Sequence, residues 1–530
     1  MRVMATPNDG SGRAPVAIVR PTTSVTSGVG VTQKLVTAAV AFGNLMQGTF
    51  GPQGLDKMLY KTNGETAVTN DGAKIIAELL VKHPAAKAFV QLAEAQEQSC
   101  GDGVTGCVLI AGELMREAGR LLERGLHPLV CVSGFQLALE VALQHGDRVA
   151  LPLDDHRHLL DVARTSMAGT TADVMDDRLA ELVVQAVKAV QHPDGTVHYE
   201  DVRMTKRTFG NLNDTMLIKG MVLETPLVLD RLPRRLDDAK VAVLSCPLEI
   251  ESTSRDAEIE VETTEQWTAF MEANERLLEA KVSAILASGA NAVFCAGAID
   301  SKVLHALADK GCFVLGALER PTVDDLAKAT GAHVCDHLDD LEAGDLGACE
   351  SLWIDTSEDL DGRRERIMLN AGNRAGLATL DVGGGDGVAV EETIRGLHDA
   401  LRSTALAAST RCVMVGGGAY HMGASLAVKE AAEQQSGRER LAMEAFARAL
   451  EIVPATLAQN AGVDRLDTLL AHRAAHRTGS DGHGVARNGE VKAMNGVLVP
   501  QETVLHGIEL ACETACGLLR VDQVISARGD

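Results

Sequence analysis

The chain is 530 residues long, and its formal charge at pH 7 is −23. Hydrophobic residues make up 46% of the chain and aromatic residues only 3%, so we expect two to four domains with cores built from Ala, Val, Leu and Ile. The acidic balance and the lack of a basic stripe exclude a nucleic-acid-binding surface as the main function, because phosphate backbones need clustered Lys and Arg. The charge is compatible with a salt-adapted cytoplasm, although many cytosolic assemblies are equally acidic.

The sequence indicates neither a membrane nor an oxidising compartment. No apolar run approaches the roughly 20 uncharged residues that cross a bilayer, and no N-terminal charged-then-apolar segment resembles a signal peptide. The eleven cysteines are scattered, without a C-x-x-C motif. Cys512 and Cys516 are four residues apart on a predicted helix, where small core positions explain them better than half of a metal site. We therefore predict a reducing, cytoplasmic location.

Helical patterns dominate the first third of the chain. After a polar segment over residues 1–30, we expect structure to begin near Thr32. Helices are predicted over residues 34–47, 73–80, 84–98, 104–123 and 129–144. Two more are expected between residues 151 and 190. This pattern predicts a mainly helical domain.

Between residues 209 and 354 short β-like runs alternate with helices. The clearest runs are residues 216–218, 241–244, 292–295 and 313–315. A strongly acidic stretch over residues 249–265 leads into a helix predicted over residues 265–287. After about residue 400 the Ala-rich helical pattern returns, with one helix opened by residues 416–418 and another over residues 454–459. We therefore predict an α/β insertion that splits a helical domain.

Three glycine-rich loops lie close together, each where a loop should meet a helix. They are Gly-Pro-Gln-Gly at residues 51–54, Asn-Asp-Gly at residues 70–72 and Gly-Asp-Gly-Val-Thr-Gly at residues 101–106. Glycine lets backbone N–H groups approach phosphate oxygens, a helix N-terminus attracts anions, and a carboxylate with a hydroxyl can bind Mg²⁺. One such loop is usually no more than a turn. Three together predict a site for phosphate and metal.

These loops belong to a set of motifs that resembles the group II chaperonins, the archaeal thermosome and its eukaryotic cytosolic relatives. The early matches are F-G-P-Q-G-L-D-K-M-L at residues 50–59, T-N-D-G at 69–72, H-P-A-A-K at 83–87 and G-D-G-V-T at 101–105. The later matches are S-G-A-N-A-V-F-C at residues 288–295, L-A-K-A-T-G-A at 326–332, L-A-Q-N-A-G-V-D at 457–464 and L-R-V-D-Q-V-I at 519–525. The ordered matches span nearly the whole chain and are far more specific than one loop.

The resemblance implies an α+β multidomain fold. Its parts are a mainly helical equatorial domain that binds ATP, a small intermediate hinge domain, and an inserted α/β apical domain that holds unfolded protein. The equatorial domain would comprise residues 1–147 and 402–530, the intermediate domain residues 148–210 and 366–401, and the apical domain residues 211–365. A polar stretch over residues 249–279 would form a helical protrusion that acts as a lid. Without the family, a solvated acidic hairpin is the better explanation of that stretch.

The motif matches also imply roles for individual residues. ATP hydrolysis needs a metal that bridges the phosphates, donors that absorb charge and a carboxylate that orients water. Asp102 would ligate Mg²⁺, Asp399 in Leu-His-Asp-Ala-Leu would be the water-activating base, and Asp71 would assist it. The nucleotide-binding residues would be Gly51, Pro52, Gly72, Gly103, Val104, Thr105, Gly417, Gly418 and Asn460, with Gly417 or Gly418 against the ribose. ATP and Mg²⁺ are the implied cofactors, and K⁺ is a further candidate.

Three positions depart from the family pattern. Val104 stands where the family has a Thr, Thr170 replaces a lysine thought to sense the γ-phosphate, and Ala493 replaces an Asp that serves the sugar and base. A lost hydrogen bond to a charged group costs about 1.5–3 kcal/mol. We therefore expect weaker nucleotide binding or slower turnover, although the carboxylates Asp102 and Asp399 remain.

The predicted function is that of a chaperonin subunit in a stacked double ring of identical or paralogous subunits. It would enclose unfolded or partly folded protein and promote folding with Mg-ATP hydrolysis, without nucleic-acid or membrane partners. The divergence suggests a haloarchaeal-like paralogue. Two alternatives remain open: a structural or client-recognition subunit with weak or no ATPase activity in a hetero-oligomeric ring, and a small-molecule phosphotransferase suggested by the Gly-Asp-Gly loop alone.

Overall fold

The structure is a computed structural model, and it divides into two compact units. It describes residues 24–27, 29–60, 66–79, 83–153, 156–170, 176–207, 210–227, 229–250, 263–359, 362–372, 376–384 and 388–526. The first unit draws on Met1–Ala150, Met414–Asn495 and Gln501–Asp530, and the second on Leu151–Val413 and Gly496–Pro500. Both ends of the chain therefore contribute to one unit.

The first unit is mainly helical. Its helices are α1 (Val29–Gln47), α2 (Gly72–Ala77), α3 (Pro84–Cys100), α4 (Val104–Glu123), α5 (Pro128–Val149), α12 (Ala419–Glu433), α13 (Glu439–Leu450), α14 (Ile452–Asn460), α15 (Arg465–Arg477) and α16 (Gln501–Leu519). Its strands are β1 (Ser24–Ser27), β2 (Lys57–Tyr60), β3 (Thr66–Thr69), β16 (His483–Val485), β17 (Val491–Ala493) and β19 (Gln523–Ser526).

Local sequence explains where several of these helices begin and end. Both α3 and α5 start with a proline, whose fixed φ suits a first helical turn, after a histidine whose ring accepts the N–H two residues later. Gly101, with φ +70°, ends α3, and Gly103, with φ +82°, precedes α4. Two left-handed glycines allow the tight turn between these helices.

Helix α4 is central to the first unit and packs against α1, α3, α13 and α16. Gly43 of α1 and Gly112 of α4 lie face to face, because a Cβ added to either would come within 3.1–3.4 Å of the other's Cα. The absence of side chains at these two positions therefore lets the helices approach closely.

The strands of the first unit form antiparallel pairs. β1 pairs with β19, β2 with β3, and β16 with β17. The expectation that structure begins near Thr32 is wrong, because β1 precedes that residue and pairs with the last described strand of the chain. A short polar strand of this kind has no apolar alternation that would identify it in the sequence.

The second unit mixes helices and strands. Its helices are α6 (His156–Met167), α7 (Asp176–Val190), α8 (Thr264–Ser288), α9 (Ser301–Asp309), α10 (Arg320–Thr330) and α11 (Val388–Thr410). Its strands are β4 (Leu151–Pro152), β5 (Val202–Lys206), β6 (Met216–Ile218), β7 (Gly220–Leu223), β8 (Arg235–Leu244), β9 (Ala292–Cys295), β10 (Phe313–Leu315), β11 (Val334–Cys335), β12 (Gly347–Asp359), β13 (Gly362–Asn370), β14 (Ala378–Val382) and β18 (Leu498–Pro500), while β15 (Cys412–Val415) crosses into the first unit.

The larger sheet of the second unit has the order β10-β9-β8-β12-β13-β7, with β11 beside β8. Strands β8, β9 and β10 are parallel, and β12 and β13 form a long antiparallel hairpin. Residues 241–244, 292–295 and 313–315 are completely buried. Their burial on both faces explains why they are continuous apolar runs in the sequence.

A smaller sheet of order β5-β14-β6 places a carboxylate in the interior of the second unit. Asp381 of β14 is fully buried, and its partners are Thr205, Arg207 and Arg366. Arg207 also pairs with Asp355 of β12 at 2.8 Å. Because a buried charge is costly unless it is paired, this cluster ties the smaller sheet to the β12–β13 hairpin.

The structure confirms much of the secondary structure predicted for this unit. The strands at residues 216–218, 292–295 and 313–315 have the expected bounds, and the helix predicted over residues 265–287 is α8. The long β12–β13 hairpin was not predicted, because charged and hydroxyl residues interrupt its apolar positions. Most of the acidic stretch, residues 251–262, lies outside the described residues. Among the helices described, none has both the length and the apolar character needed to span a membrane.

Candidate functional site

The turn between α3 and α4 carries Asp102. One oxygen of its carboxylate accepts the N–H of Gly103 at 2.6 Å. Gly103 has no side chain to cap α4, so the first N–H groups of this 20-residue helix receive no cap from that position. Such N–H groups attract anions, since they form the positive end of the helix dipole. The turn therefore places the Asp102 carboxylate beside a helix end that can attract an anion.

Gln96 supports this turn from the interior. Its fully buried amide donates to the carbonyl oxygen of Asp102 at 2.9 Å and to that of Thr503 at 3.1 Å. A Cβ at Gly103 would lie 2.8 Å from Cγ2 of Thr503. The turn can therefore approach α16 this closely only with glycine at that position.

The second glycine-rich loop contacts the third. Asp71 precedes α2, and its side chain accepts the N–H of Ala73 at 2.9 Å. A Cβ at Gly72 would lie 2.4 Å from Oγ1 of Thr105, in the first turn of α4. The structure thus brings Asp71 and Gly72 next to the helix that follows Asp102.

The first glycine-rich loop follows α1 and is held by α14. Gly51 has φ +81°, and a Cβ there would lie 2.3 Å from Cδ2 of Leu457. The side-chain amide of Asn460 donates to the carbonyl oxygens of Gln47 and Phe50, both at 2.8 Å. Both N–H groups of Asn460 are engaged by the loop, so its contacts support a role in positioning the loop.

Three consecutive glycines lead into α12. Gly417 and Gly418 have φ +64° and +77°. The carbonyl oxygen of Gly417 accepts the N–H of Val485 at 2.8 Å, and a Cβ at Gly417 would lie 2.7 Å from Cε of Met494. A Cβ at Gly418 would lie 3.0 Å from Cβ of Pro454. The loop is therefore packed against β16, the residue after β17, and α14.

Helix α14 is the common support of loops from distant parts of the chain. Pro454 lies against Gly418, Leu457 lies against Gly51, and Asn460 binds the residues before Gly51. The three side chains are three residues apart and share one broad face of the helix. One short helix thus joins the loop before α12 to the loop after α1.

Glu451, the residue before α14, anchors that helix. Its buried carboxylate binds Ser425 and Lys429 of α12 and Arg473 of α15. Burial opposes ionisation, but the hydrogen bonds from Arg473 and Lys429 hold the pKa of Glu451 below its ordinary value. Glu451 therefore stays ionised and ties α14 to two neighbouring helices.

The three departures from the family pattern have different surroundings. Val104 is 4% exposed and packs its side chain into the first unit at the start of α4. Ala493 is exposed on β17. Thr170 follows α6 in the second unit, where its hydroxyl donates to the carbonyl oxygen of Met167 at 2.7 Å. Pro52, half-buried, continues the loop of Gly51.

Asp399 belongs to the second unit. It is half-buried on α11, next to His398, whose ring packs edge-on against Tyr199 at 6.1 Å. Arg402, one turn further along, lies over the same tyrosine ring at 4.8 Å.

The contacts described above join the predicted residues of the first unit in two sets: the loops of Asp71 and Asp102 form one, and the loops of Gly51 and Gly417 form the other. Asp399 belongs to the second unit.

Comparisons with known proteins identify the family. Residues 42–529 match the TCP-1/cpn60 chaperonin family. The chain belongs to this family. It is 38% identical over 501 residues to a thermosome subunit of Methanopyrus kandleri, covering 93% of this chain and 91% of the relative. It is also 37% identical to the thermosome subunit beta of Archaeoglobus fulgidus (97% and 95% covered) and 34% identical to the thermosome subunit alpha of Thermoplasma acidophilum (98% and 95% covered).

The donors available in this chaperonin suit Mg²⁺ at a nucleotide. Within the described part of the chain, no group of three or more His, Cys, Asp or Glu side chains is arranged to hold a metal ion. Mg²⁺ at phosphate sites keeps several water ligands and takes only one or two carboxylates, with phosphate oxygens completing its shell. A single carboxylate from Asp102, beside the start of α4, fits that requirement.

Several residues that support the loops of this chaperonin are not predicted from the sequence. Gln96 is one, because a glutamine inside a helix belongs to no local motif. His472 and His476 are two more, since both hydrogen-bond to the carbonyl oxygen of His483 at the start of β16. The signal that could have indicated these two histidines is their four-residue spacing within the Ala-rich helical pattern that follows residue 400.

Proposed function

We propose that the loops joined by α14 bind ATP, and that its hydrolysis drives the folding of other proteins. The protein is a chaperonin subunit, and as such an ATP-dependent molecular chaperone. One observation carries the site assignment: Pro454, Leu457 and Asn460 of one helix contact two glycine loops that lie more than 350 residues apart in the sequence. Because glycine has no side chain, both loops allow a ligand to approach the backbone closely.

We assign the phosphates to the first turn of α4 and to the loop of Gly51. The N–H groups of Val104 and Thr105 would bind phosphate oxygens at the positive helix end, with Pro52 and Gly72 lining the same side. The side chain of Val104 cannot donate, so this chain relies on its backbone there. Asp102 would hold Mg²⁺, which when bound neutralises charge on the phosphates.

We assign the orientation of the attacking water to Asp399, with help from Asp71. The support is the Leu-His-Asp-Ala-Leu motif around Asp399, together with the need for a carboxylate that accepts hydrogen bonds from water. Since the two aspartates belong to different units, this assignment makes hydrolysis depend on the conformation of the protein.

We also propose the assembly and domain plan of the family. The protein would form a stacked double ring with identical or paralogous subunits and enclose unfolded protein. Residues 1–147 and 402–530 would be the equatorial domain, residues 148–210 and 366–401 the hinge, and residues 211–365 the apical domain. In support of a lid near residues 249–279, the start of α8 exposes Trp267, Phe270 and Met271.

The substitutions at Val104, Thr170 and Ala493 would lower the ATPase rate of this subunit without removing it. Thr170 uses its hydroxyl to close α6, and Ala493 has no hydrogen-bonding side chain to offer the sugar. A structural subunit without turnover is not favoured, because Asp71, Asp102 and Asp399 are all retained.

Steady-state ATP hydrolysis by the size-fractionated assembly, at several salt concentrations, tests the proposal. We expect turnover that requires Mg²⁺ and that is abolished in Asp399→Ala. Glu391→Ala is the matched control, because Glu391 is an exposed carboxylate two turns earlier on α11 that pairs with Lys206. Its turnover should equal that of the parent chain. An assembly with no activity above Asp399→Ala would make the protein a structural or recognition subunit.

A further inference from the structure

Helix α15 directs two histidines at one backbone carbonyl. His472 and His476 are four residues apart, and their Nε2 atoms lie 2.8 and 2.9 Å from the carbonyl oxygen of His483. The two rings are edge to face with centroids 4.9 Å apart. His472 is fully buried and His476 is 7% exposed. Both rings are therefore part of the interior of the first unit.

The geometry fixes the hydrogen-bonding role of both Nε2 atoms. A carbonyl oxygen can only accept, so each Nε2 must carry a proton. Neither Nδ1 atom has a hydrogen-bond partner among the described residues, and Oδ1 of Asp481 lies 4.0 Å from Nδ1 of His476. His472 and His476 are thus two donors that together occupy both lone pairs of one carbonyl, and burial, which lowers the pKa of both rings, favours their neutral form.

The carbonyl that they bind lies on the strand that holds the glycine loop. Two residues after His483, the N–H of Val485 donates to the carbonyl oxygen of Gly417 at 2.8 Å. Between them, a Cβ at Gly484 would lie 2.8 Å from that same oxygen. The strand and the loop are therefore in direct backbone contact. Any shift of β16 would move the Gly417 peptide.

We propose that His472 and His476 are positioning residues for the sugar of the nucleotide. They fix β16, and β16 fixes the backbone of Gly417 and Gly418, the predicted ribose contacts; this inference rests on the proposed nucleotide site. The phosphate side has separate supports, because Gln96 binds the turn of Asp102. Loss of the histidine donors should therefore weaken the binding of ligands that contain a ribose and spare those that consist of phosphate alone.

Isothermal titration calorimetry of the full chain with Mg-ADP and with magnesium pyrophosphate separates these two effects. We expect His472→Leu and His476→Leu each to raise the Kd of ADP by about five- to tenfold, the effect of one lost hydrogen bond, with pyrophosphate unchanged. His472→Gln should recover most of the affinity, since the glutamine amide can place a donor near the position of Nε2. Amide hydrogen exchange should be faster at Val485 in the leucine variants and near normal in the glutamine variant.

Phe446→Leu is the control for general loss of stability, because its ring packs in the core of the same unit against Phe135. It should leave both affinities intact. Leucine variants that bind ADP normally, or that weaken ADP and pyrophosphate equally, would overturn the positioning role. Unchanged amide hydrogen exchange at Val485 in the leucine variants would also overturn the positioning role, and this measurement needs no ligand. If the parent chain bound neither ligand, the assignment of the nucleotide site itself would be wrong. That failure is visible in the parent chain, whereas failure of the positioning role is visible only in the histidine variants.

Discussion

The two sides of the candidate nucleotide site are supported by different chemistry. On the phosphate side, the loops are held by the side-chain amides of Gln96 and Asn460, which donate to backbone carbonyls. On the sugar side, the strand behind the Gly417 loop is held by the imidazoles of His472 and His476. Amides do not titrate near neutral pH and imidazoles do. Of these supporting side chains, only the imidazoles on the sugar side can therefore bind a further proton.

The largest expected effect is on the phosphate side, in Asp102→Asn. Loss of the anionic ligand should reduce Mg²⁺-dependent ATP turnover by at least about 100-fold, because even indirect supports of metal sites cost 10- to 100-fold. Turnover is measured against Mg²⁺ concentration. Asp464→Asn is the matched control: Asp464 caps α15, and asparagine caps equally well. Normal turnover in Asp102→Asn would refute the assignment of the metal ligand.

A second prediction compares two glycines with the same left-handed backbone conformation. Gly51 and Gly125 have φ +81° and +84°, but a Cβ on Gly51 would lie 2.3 Å from Cδ2 of Leu457, whereas nothing lies within 4 Å at Gly125. Gly51→Ala should weaken ADP and pyrophosphate binding by about tenfold or more, since either the Leu457 side chain or the loop that it holds must move to admit the added Cβ. Gly125→Ala should lose stability, by about 1 kcal/mol, and keep both affinities. Calorimetric titration and thermal unfolding distinguish the two outcomes.

A smaller effect is expected from Gln96→Leu. This change removes both hydrogen bonds to the carbonyls of Asp102 and Thr503, so the turn before α4 should loosen. We expect the Kd values of ADP and pyrophosphate to rise together, by about three- to tenfold. The histidine variants, in contrast, are predicted to raise the Kd of ADP alone. Gln144→Leu, on the exposed surface of α5, is the control. A change in ADP affinity alone would show that Gln96 does not act through the phosphates.

How much of this arrangement the sequence predicts depends on the separation of the residues involved. The bounds of α4 and the contact between the loops of Asp71 and Asp102 follow from short motifs whose parts are neighbours in the chain. The supports do not: Gln96 binds a carbonyl 407 residues away, and Asn460 binds one 413 residues away. Tertiary packing determines such partners, and a local pattern of hydrophobic residues does not predict them.

The same limit applied to the β12–β13 hairpin. Two of its polar residues, Asp355 and Arg366, are explained by the cluster around Asp381, in which Arg207 joins β12 to β14. A charged residue in a sequence normally indicates a surface, because unpaired charges are rarely buried. The pairing that makes these charges compatible with the interior becomes visible only when the strands are assembled.

The smallest expected effect concerns protons on the sugar side. Burial lowers the pKa of His472 to about 4 and that of His421, on α12, also to about 4, from an ordinary value of 6.5. Around His472, the imidazoles of His476 and His483 lower its pKa further, while the hydrogen bond to His483 and the charge of Glu451 raise it. Burial also lowers the pKa of His476, although the hydrogen bond to His483 and the charge of Asp481 oppose it, and burial together with Arg148 lowers the pKa of His145.

Between pH 6.5 and 4 the unfolded chain therefore binds protons that the folded chain does not. The free energy of unfolding therefore falls as the pH falls through this window, by up to about 1.4 kcal/mol per pH unit for each histidine. Above pH 6.5 these groups do not change the stability. His472→Gln removes one such group and should make the decline in Tm shallower below pH 6.5, with Gln144→Leu as the unchanged reference. If Tm falls with pH at the same slope in His472→Gln and in the reference, burial does not keep His472 neutral. The difference in proton response between the supports of the two sides of the site would then be refuted.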